Sequence, residues 1–591
     1  MCNFYGSFHF YLFFMKKNLL FLISVMVLFF ACKTTGKNAS PGFDPYNYSV
    51  QKKTIADNGA VVSAHPLASQ TGVEILKMGG NAVDAAIATQ LALAVVYPAA
   101  GNLGGGGFMV ARLSDGKEIS IDYREMAPGK AHRDMYIDST GEARTDKSQD
   151  GHLASGVPGT VAGLFASAKY AKLSFDKLIQ PAIELAEKGF VIGKREANSL
   201  NELQDELKKY NTVMPVFVKS IPWKEGDTLI QTDLANTLKR IKDKGAAGFY
   251  EGETAKLIVE EMKRGNGIIS SDDLKNYTAK SREPHAFEYK GYKIIGMPMP
   301  SSGGLLVHQM MKMIESKNIS SMGFLSLQAV QLMVEVERRA YADRAEYMGD
   351  ADFYKVPVSM LTNDVYLQER MKNYDPLKAT PSSVIKPGSL QTTESEETTH
   401  LSVIDKDGNA VAVTTTLNGS YGSRTVIGGA GFFINNEMDD FSIKPGVPNM
   451  YGAVGGEANA IKAGKRMLSS MTPTIVLKDN KPFLVVGTPG GTTIPTSVFQ
   501  TLVNIIEFNM STEDAVYKPK FHHQWLPDSV FIETGFSKNT FDSLQKAGYN
   551  LIERGKIGRT EVIKVLSDGP SAKPRFEAVA DNRGDDDARG W

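Results

Sequence analysis

The sequence predicts an α+β protein in which antiparallel hairpins are covered by helices. Two hairpins support this prediction: His400–Ile404 turns through Lys406–Asn409 into Ala410–Thr416, and Thr474–Leu477 is followed by Phe483–Gly487. Helical patterns lie on either side of these strands. Layers of strands covered by helices are among the few arrangements that bury the apolar faces of both kinds of element.

Helical patterns dominate the chain between about residue 50 and Thr398. Pro66–Met78 and Ala82–Val96 are predicted helices, each followed by glycine or proline. The second is too short to cross a bilayer and contains Asp84, so we expect a buried core helix. A further helix is predicted from about Pro495 to Phe508.

Composition narrows the function classes. The 591 residues contain no Pro/Ser/Gly-rich linker, charge block or short repeat after about residue 50, which favours one large unit. Lys+Arg and Asp+Glu each number 66, and no basic helix with interleaved aromatics occurs. We therefore expect a small soluble substrate and no nucleic acid partner.

No cofactor or metal is expected. The Gly104–Gly107 run lacks the Lys-Ser/Thr pair that completes a phosphate loop. His522-His523 is the only histidine pair, and no HExxH motif or clustered Cys/His spacing occurs. Structural packing is the simpler interpretation of the histidine pair.

The N-terminus carries an export pattern. Met15-Lys16-Lys17 precedes an apolar stretch that ends at Ala31-Cys32, which resembles a bacterial lipoprotein signal with Cys32 acylated after cleavage. We expect residues 1–32 to be the signal, with Met15 as the true start, and the polar residues 33–49 to be a tether. The phenylalanines before Ala31 leave a plain signal peptide or an uncleaved anchor open. The predicted location is a bacterial envelope, either periplasmic or lipid-anchored, with no other membrane contact.

Thr398 is the candidate nucleophile. It opens the first predicted hairpin deep inside the chain, within Glu397-Thr398-Thr399-His400. A threonine hydroxyl needs an adjacent base, and the residue's own α-amino group serves if the chain is cut before it. We therefore predict that Thr398 is a latent N-terminus. His400 reaches the same face only in a regular strand, so it is left out of the predicted catalytic set.

The chain resembles the γ-glutamyltranspeptidase family of N-terminal-nucleophile hydrolases from about residue 50 to about residue 585. Besides the motif around Thr398, the residues that carry the resemblance are Asp122–Pro128, Thr416–Asn418, Asn435–Ser442, Leu468–Thr474 and Pro489–Gly491. The resemblance implies a four-layer αββα sandwich of two stacked antiparallel sheets between helices. It also implies a heterodimer of a large subunit, residues 50–397, and a small subunit, residues 398–591, that form one unit.

The resemblance further implies a mechanism. The Thr398 hydroxyl attacks the Glu397 carbonyl, hydrolysis splits the chain, and the freed amine then activates the same hydroxyl against γ-glutamyl amides. The resulting ester passes the glutamyl group to water or to an amino acid or dipeptide, with glutathione as the expected donor. The implied oxyanion donors are the N–H groups of Gly490 and Gly491, and Thr416 is implied to hydrogen-bond and tune Thr398.

The remaining implied residues recognise the glutamyl head group. Its α-carboxylate calls for a bidentate cation with hydroxyl donors, and its α-ammonium calls for acceptors. Pro445–Gly452 resembles a lid that would favour small substrates over a long polymer. The implied contacts are Arg124, Ser469 and Ser470 for the carboxylate, Asn418, Glu437 and Asp440 for the ammonium, and Tyr451 in the lid.

Two other functions stay open at the level of sequence. A β-lactam side-chain acylase of the same superfamily would use the same Thr398 chemistry, although Arg124 and the acidic pair suit an amino-acid head group better. An inactive envelope lipoprotein that binds peptides or glutathione would have no need of the nucleophile.

Overall fold

In the part of the chain that the structure describes, the strands build two central sheets and two small ones. A computed structural model describes residues 42–385, 398–567 and 573–591. The strands are β1 (Lys53–Ala56), β2 (Gly59–Ser63), β3 (Gly106–Arg112), β4 (Glu118–Asp122), β5 (Phe190–Val191), β6 (Thr228–Leu229), β7 (Lys280–Arg282), β8 (His285–Tyr289), β9 (Tyr292–Gly296), β10 (Thr399–Asp405), β11 (Ala410–Thr416), β12 (Thr474–Lys478), β13 (Lys481–Gly487), β14 (Phe521–His522), β15 (Val530–Ile532), β16 (Leu551–Glu553), β17 (Glu561–Leu566), β18 (Arg575–Ala580) and β19 (Asp587–Gly590).

Both central sheets are seven-stranded and antiparallel. Sheet A has the order β1-β18-β17-β13-β12-β9-β8, and sheet B has the order β19-β2-β10-β11-β3-β4-β7. The small sheets are β14-β15-β16 and β5-β6. Each central sheet therefore takes strands from both sides of the predicted cut before Thr398.

Helices surround the two sheets. The α-helices are α1 (Pro66–Lys77), α2 (Ala82–Val96), α3 (Thr145–Gln149), α4 (Thr160–Ser167), α5 (Phe175–Lys188), α6 (Lys194–Glu202), α7 (Gln204–Tyr210), α8 (Thr232–Lys244), α9 (Ala247–Tyr250), α10 (Gly252–Arg264), α11 (Ser271–Lys275), α12 (Gly303–Ile314), α13 (Leu327–Tyr347), α14 (Val358–Leu361), α15 (Asp364–Arg370), α16 (Thr493–Ile506), α17 (Thr512–Tyr517) and α18 (Lys538–Lys546). Short 3₁₀ turns lie at His152–Ala154, Ala168–Tyr170, Ile319–Met322, Ser382–Val384, Glu437–Asp440 and Glu457–Asn459.

The layers follow from the alternation of side chains along the strands. In β12, Ile475 faces sheet B and packs with Val62 and Val110, whereas Val476 faces outward and packs with α12, α13 and α16. On the far side of sheet B, α1 packs on β2 and α2 packs on β10. Because each apolar sheet face is covered, the result is a four-layer αββα sandwich. The predicted fold class is confirmed.

The two predicted hairpins and the helices predicted near Ala82 and Pro495 are also confirmed. β10 and β11 form the first hairpin and β12 and β13 form the second, both antiparallel. The helix Ala82–Val96 has the predicted bounds, and every one of its residues is buried. An Asn81–Asp84 capping box fixes its start. The helix predicted from about Pro495 begins at Thr493 and ends at Ile506.

The expectation of a mostly helical segment before Thr398 is incomplete. Nine strands, β1 to β9, lie in the described part of that segment. They are two to seven residues long, and β2 and β3 are buried along their whole length, so these two lack the alternation that separates a strand from a helix. In β8 the buried residues do alternate, at Phe287 and Tyr289.

The N-terminal predictions lie mostly outside the described residues, including the signal and Cys32. Residues Pro45–Trp591 form one compact unit. Within it, Tyr46 and Tyr48 donate hydrogen bonds to the carbonyls of Lys188 and Val191, at 2.7 and 2.6 Å. In the part of the chain that is described, no helix combines the length and apolar character needed to cross a membrane.

Candidate active site

Thr398 lies immediately before β10, an interior strand of sheet B. The register pairs Thr399 with Thr415, so Thr398 is next to Thr416 at the end of β11. The two hydroxyl oxygens are 3.4 Å apart. The backbone N–H of Asn418 donates to Thr416 Oγ1 at 2.8 Å, which leaves the Thr416 hydroxyl hydrogen available for Thr398. The hairpin therefore aligns the candidate nucleophile with a hydroxyl that can orient it.

His400 is committed to other contacts. Its imidazole is within hydrogen-bond distance of Thr414 Oγ1 at 2.8 Å and Ser402 Oγ at 3.1 Å. Gly487 of sheet A lies directly against the ring, so the imidazole fills space between the two sheets. Burial lowers the pKa of His400 to about 3, which keeps the ring neutral. His400 thus has a structural place in the sandwich.

Two glycines after β13 form a sharp turn into α16. Gly490 has φ 136° and Gly491 has φ 53°, values that residues with a side chain rarely adopt. A side chain at Gly491 would also collide with the Tyr451 ring. Among the described residues, the N–H groups of Gly490 and Gly491 find no hydrogen-bond acceptor. Two unpaired N–H groups at the start of a helix form a site for a negatively charged oxygen.

Arg124 is the centre of a buried charge network. It follows β4, and its side chain is 1% exposed. The guanidinium donates to the carboxylates of Glu437 and Asp440, the latter at 2.5 Å. It also donates to the carbonyls of Met467 and Leu468, both at 3.3 Å. Every edge of the guanidinium is therefore used within the protein.

The network contains more carboxyl groups than Arg124 can neutralise. Burial raises the pKa of Glu437 and of Asp440, although Arg124 opposes both shifts. Glu125 Oε2 lies 3.6 Å from Arg124 Nη1, and burial raises the pKa of Glu125 to about 7. Burial alone would lower the pKa of Arg124, but these carboxylates raise it. Within the described structure Glu437 Oε2 is buried without any hydrogen-bond partner, so an acceptor remains for a bound cation.

A second buried cation, Arg344 of α13, approaches the serine pair. Its Nε donates to Ser302 Oγ at 3.1 Å, and its Nη2 donates to Ser470 Oγ at 3.0 Å. Ser302 in turn donates from its N–H and its hydroxyl to the Ser469 carbonyl, both at 2.8 Å. Burial lowers the pKa of Arg344, while Tyr341 and then Asp440 oppose the shift. Arg344 therefore orients Ser470, and the hydroxyl hydrogen of Ser470 can be donated to a ligand.

The segment resembling a lid closes over this site. The Tyr451 hydroxyl donates to the Asn418 carbonyl at 2.5 Å, and its side chain is buried. Asn449 Nδ2 donates to Asp440 Oδ1 at 2.9 Å, and the Met450 N–H donates to Asp439 Oδ2 at 2.7 Å. The lid is thus attached both to the loop after β11, which contains Asn418, and to the turn Glu437–Asp440, which we call the acidic turn.

One small cavity, of about 20 Å³, collects most of the predicted site residues. Cys32 lies outside the described residues, and Gly490 lines a separate cleft. The sequence analysis missed Arg344 and Asn449, because a basic residue in a charged helical run and an asparagine in a loop are typical of solvated surfaces. The predicted residues that line the cavity are Arg124, Thr398, Thr416, Asn418, Glu437, Asp440, Tyr451, Ser469, Ser470 and Gly491.

The structure gives no sign of a metal centre in the region described. Residues 42–385, 398–567 and 573–591 contain no group of three or more His, Cys, Asp or Glu side chains that could hold an ion. His522 is buried and lies 2.8 Å from both Thr496 Oγ1 and Gln524 Oε1.

The αββα sandwich, with a threonine at the start of a central strand and a glycine turn opposite it, defines an N-terminal-nucleophile hydrolase. Comparison with known proteins narrows this class. A model of the γ-glutamyltranspeptidase family matches residues 68–591. A glutathione hydrolase proenzyme of Escherichia coli is 48% identical over 545 residues, which cover 90% of this chain and 93% of that protein.

Two acylases are more distant relatives. An acylase ACY 1 proenzyme of a Pseudomonas species is 35% identical, over 88% of this chain and 92% of its own length. The crystal structure of a cephalosporin acylase from Bacillus halodurans superimposes with a TM-score of 0.80 at 25% identity, over 93% of this chain and 99% of that one. The chain belongs to the γ-glutamyltranspeptidase family, and it is an enzyme.

Proposed function

We propose that the chain cuts itself before Thr398 and then transfers γ-glutamyl groups from donors such as glutathione to water, amino acids or dipeptides. The observation that carries the proposal is a nucleophile and an unpaired acceptor in one cavity. Thr398 Oγ1 lies 3.4 Å from Thr416 Oγ1, Glu437 lines the same cavity, and within the described residues Glu437 Oε2 is buried without a hydrogen-bond partner. An α-ammonium bound at Glu437 brings the γ-carbonyl of the same glutamyl group toward Thr398.

The first reaction is maturation. The Thr398 hydroxyl attacks the Glu397 carbonyl, the acyl group moves from nitrogen to oxygen, and water hydrolyses the ester. The products are a large subunit, residues 50–397, and a small subunit, residues 398–591. They stay associated because both contribute strands to sheet A and to sheet B.

The second reaction uses the freed amine. Its ordinary pKa of about 7.7–8.0 leaves part of it neutral near pH 7, so it accepts the Thr398 hydroxyl proton directly or through water. The oxygen attacks the γ-carbonyl, and the N–H groups of Gly490 and Gly491 hold the resulting oxyanion. The amide nitrogen takes the proton and leaves. Water or an amine then attacks the ester on Thr398 and releases the glutamyl group.

The head group binds by exchange of ion pairs. Arg124 is held by Glu437 and Asp440 in the protein alone. A glutamyl group brings one carboxylate and one ammonium, so the carboxylate replaces an internal partner of Arg124 while the ammonium takes the released carboxylate. Asn418 adds an acceptor for the ammonium, and Ser469 and Ser470 add donors for the carboxylate. The net charge of the cavity stays constant, which lowers the cost of binding in a buried place.

Arg344 completes the carboxylate site. Because it donates to Ser470 Oγ, the Ser470 hydroxyl hydrogen is directed to a further acceptor. Among the described residues, the acidic turn forms its ion pairs with Arg124, and Arg344 adds a second positive charge beside Ser470.

The lid admits and then covers the substrate. A cavity of about 20 Å³ holds roughly one water molecule, so a glutamyl group enters only when Tyr451 moves away. Closure over the bound group favours small donors over a polymer. For location, we propose export by residues 1–32, with lipidation at Cys32.

A donor series tests this function. Purified mature protein should release p-nitroaniline from γ-glutamyl-p-nitroanilide, and glycylglycine should accelerate the release if transfer operates. The α-glutamyl isomer and an N-acetylated donor should be nearly inert, because one misplaces the carbonyl and the other removes the ammonium. Asp440→Asn should weaken the γ-glutamyl donor more than the glutaryl analogue, which has no ammonium to lose.

The rival functions give different outcomes in the same series. Equal cleavage of glutaryl and γ-glutamyl anilides would favour a β-lactam side-chain acylase. Glutathione binding without turnover, in protein already cut before Thr398, would favour an envelope binding protein.

A further inference from the structure

A second cavity lies on the other side of the glycine turn. It measures about 290 Å³ and is lined by Pro489 and Gly490, whereas Gly491 lines the head-group cavity. Ser420 and Tyr421, which follow shortly after Asn418, line it as well. The two cavities therefore share the two loops that surround the Thr398 hydroxyl. We call the second cavity the basic cleft.

Substrate geometry directs the leaving group toward the basic cleft. The γ-carbonyl carbon must lie at Thr398 Oγ1 with its oxygen on the glycine turn, and the head group extends into the buried cavity. The amide nitrogen leaves from the remaining side of the tetrahedral carbon. The cavity of about 290 Å³ next to Gly490 has room for the leaving group on that side.

The cleft is strongly cationic. Four basic side chains and one acidic side chain line it. Burial lowers the pKa of Lys556, and Arg195 and Arg559 lower it further, whereas Asp581 and Asp585 oppose the shift. The three cations therefore lie close enough to repel one another, and nearby carboxylates compensate part of that repulsion. The four basic residues are Arg195, Arg554, Lys556 and Arg559, and the acidic one is Glu196.

One of these cations, Arg559, is tied to the glycine turn, and its Nη1 also lies 3.7 Å from Asp586 Oδ1. Arg559 donates from its backbone N–H to Thr488 Oγ1 and from Nη2 to the Tyr97 hydroxyl, both at 2.8 Å. Thr488 immediately precedes Pro489 of the glycine turn. Arg195 and Lys556 are exposed at the rim, where a long side chain can follow an incoming group.

We propose that the basic cleft binds the free carboxylate of the peptide released from the donor, and of the peptide that accepts the glutamyl group. This inference rests on the proposed γ-glutamyl transfer and adds the recognition of its second partner. A glycine carboxylate at the end of a dipeptide places one negative charge among Arg195, Lys556 and Arg559, where it relieves their mutual repulsion. A cavity of about 730 Å³ shares Tyr97, Arg195 and Lys556 with the cleft, so longer peptides also have room.

The test pairs substrates with variants. Glutathione is compared with its analogue in which the glycine carboxylate is a carboxamide, and kcat/KM is measured for both. Wild-type protein should prefer the carboxylate by about tenfold, the effect of one charge-assisted hydrogen bond. Arg195→Gln combined with Lys556→Gln should remove most of this preference. Lys538→Gln, a charge loss at an exposed helix position, serves as the matched control and should keep it.

Each result has one meaning. An equal preference in wild-type protein and in the double variant would overturn the proposal, as would an equal loss in Lys538→Gln. A preference that disappears at high ionic strength supports it, because exposed charges are screened. Failure of the proposed function gives a separate result, since γ-glutamyl-p-nitroanilide has no carboxylate at its leaving end and would then release no p-nitroaniline at all.

Discussion

The head-group cavity and the basic cleft meet at one glycine turn, yet they are built in opposite ways. The cavity is small and buried, and its charges are already paired with one another through Arg124. The cleft is larger and partly exposed, and its basic side chains outnumber its single acidic one.

This difference suggests how one active site combines a strict donor with a variable acceptor. In the cavity the charged groups are already paired with one another. A ligand that displaces an ion pair of Arg124 must therefore bring both charges of an amino-acid head group, one for each separated partner. In the cleft a carboxylate meets Arg195 and Lys556, which are exposed and therefore screened, so affinity should change little with the rest of the peptide. Substitutions in the cavity should therefore act on every donor, and substitutions in the cleft only on carboxylated leaving groups.

The largest effect is expected for Arg124→Lys. A lysine cannot donate to Glu437, Asp440 and two carbonyls at once, so it leaves buried acceptors unpaired. We expect kcat/KM for γ-glutamyl-p-nitroanilide to fall about a thousandfold, equivalent to about 4 kcal/mol, chiefly through KM.

Thermal unfolding must accompany this measurement, since a loss of fold would mimic a loss of binding. An unchanged KM in a folded Arg124→Lys protein would mean that the α-carboxylate binds elsewhere. The contrast between the head-group cavity and the basic cleft would then be wrong.

A smaller effect is expected for Arg344→Gln. The variant loses a charge-assisted contact to Ser470 but leaves the Arg124 network intact, so KM should rise about thirtyfold with kcat less affected. Arg344→Lys should recover part of this loss, because it restores the charge without the two-donor geometry. Arg144→Gln, at an exposed ion pair with Asp146, is the control and should have little effect. If the KM of Arg344→Gln equals that of the control, Arg344 does not contribute to binding of the carboxylate.

The smallest effect is expected for Tyr451→Phe. Only the hydrogen bond to the Asn418 carbonyl is lost, while the ring still packs on Gly491. We expect about a fivefold change in kcat/KM, the effect of one neutral hydrogen bond. Because the lid covers the donor, the change should be similar for donors with and without a leaving-group carboxylate. A change seen only with donors whose leaving group carries a carboxylate would mean that Tyr451 acts in the basic cleft.

Much of this architecture was predictable because it depends on local pattern. The β10–β11 hairpin, the glycine turn before α16 and the buried helix Ala82–Val96 each have a period or a turn signal within a few residues. The family resemblance added the candidate site residues. The structure brings those around Thr398 into one cavity, apart from Gly490.

The rest was not predictable, because it depends on which residues meet across the fold. The strands before Thr398 are short, and the complete burial of β2 and β3 removes the alternation that marks a strand. Arg344 lies in a helical run with Arg338 and Arg339, which resembles a solvated face, yet all three are buried. The pairing of Arg124 with Glu437 and Asp440 joins positions more than 300 residues apart.

The central claim is that Thr398 becomes an N-terminus and is then its own base. The most direct test is denaturing electrophoresis with mass determination and N-terminal sequencing of purified protein, alongside its activity. We predict two fragments that purify together, with the smaller beginning at Thr398, a single inactive chain for Thr398→Ala, and slower cutting for Thr398→Ser. An active wild-type preparation that contains only the uncut chain would contradict the mechanism, because no free amine would then exist beside the hydroxyl.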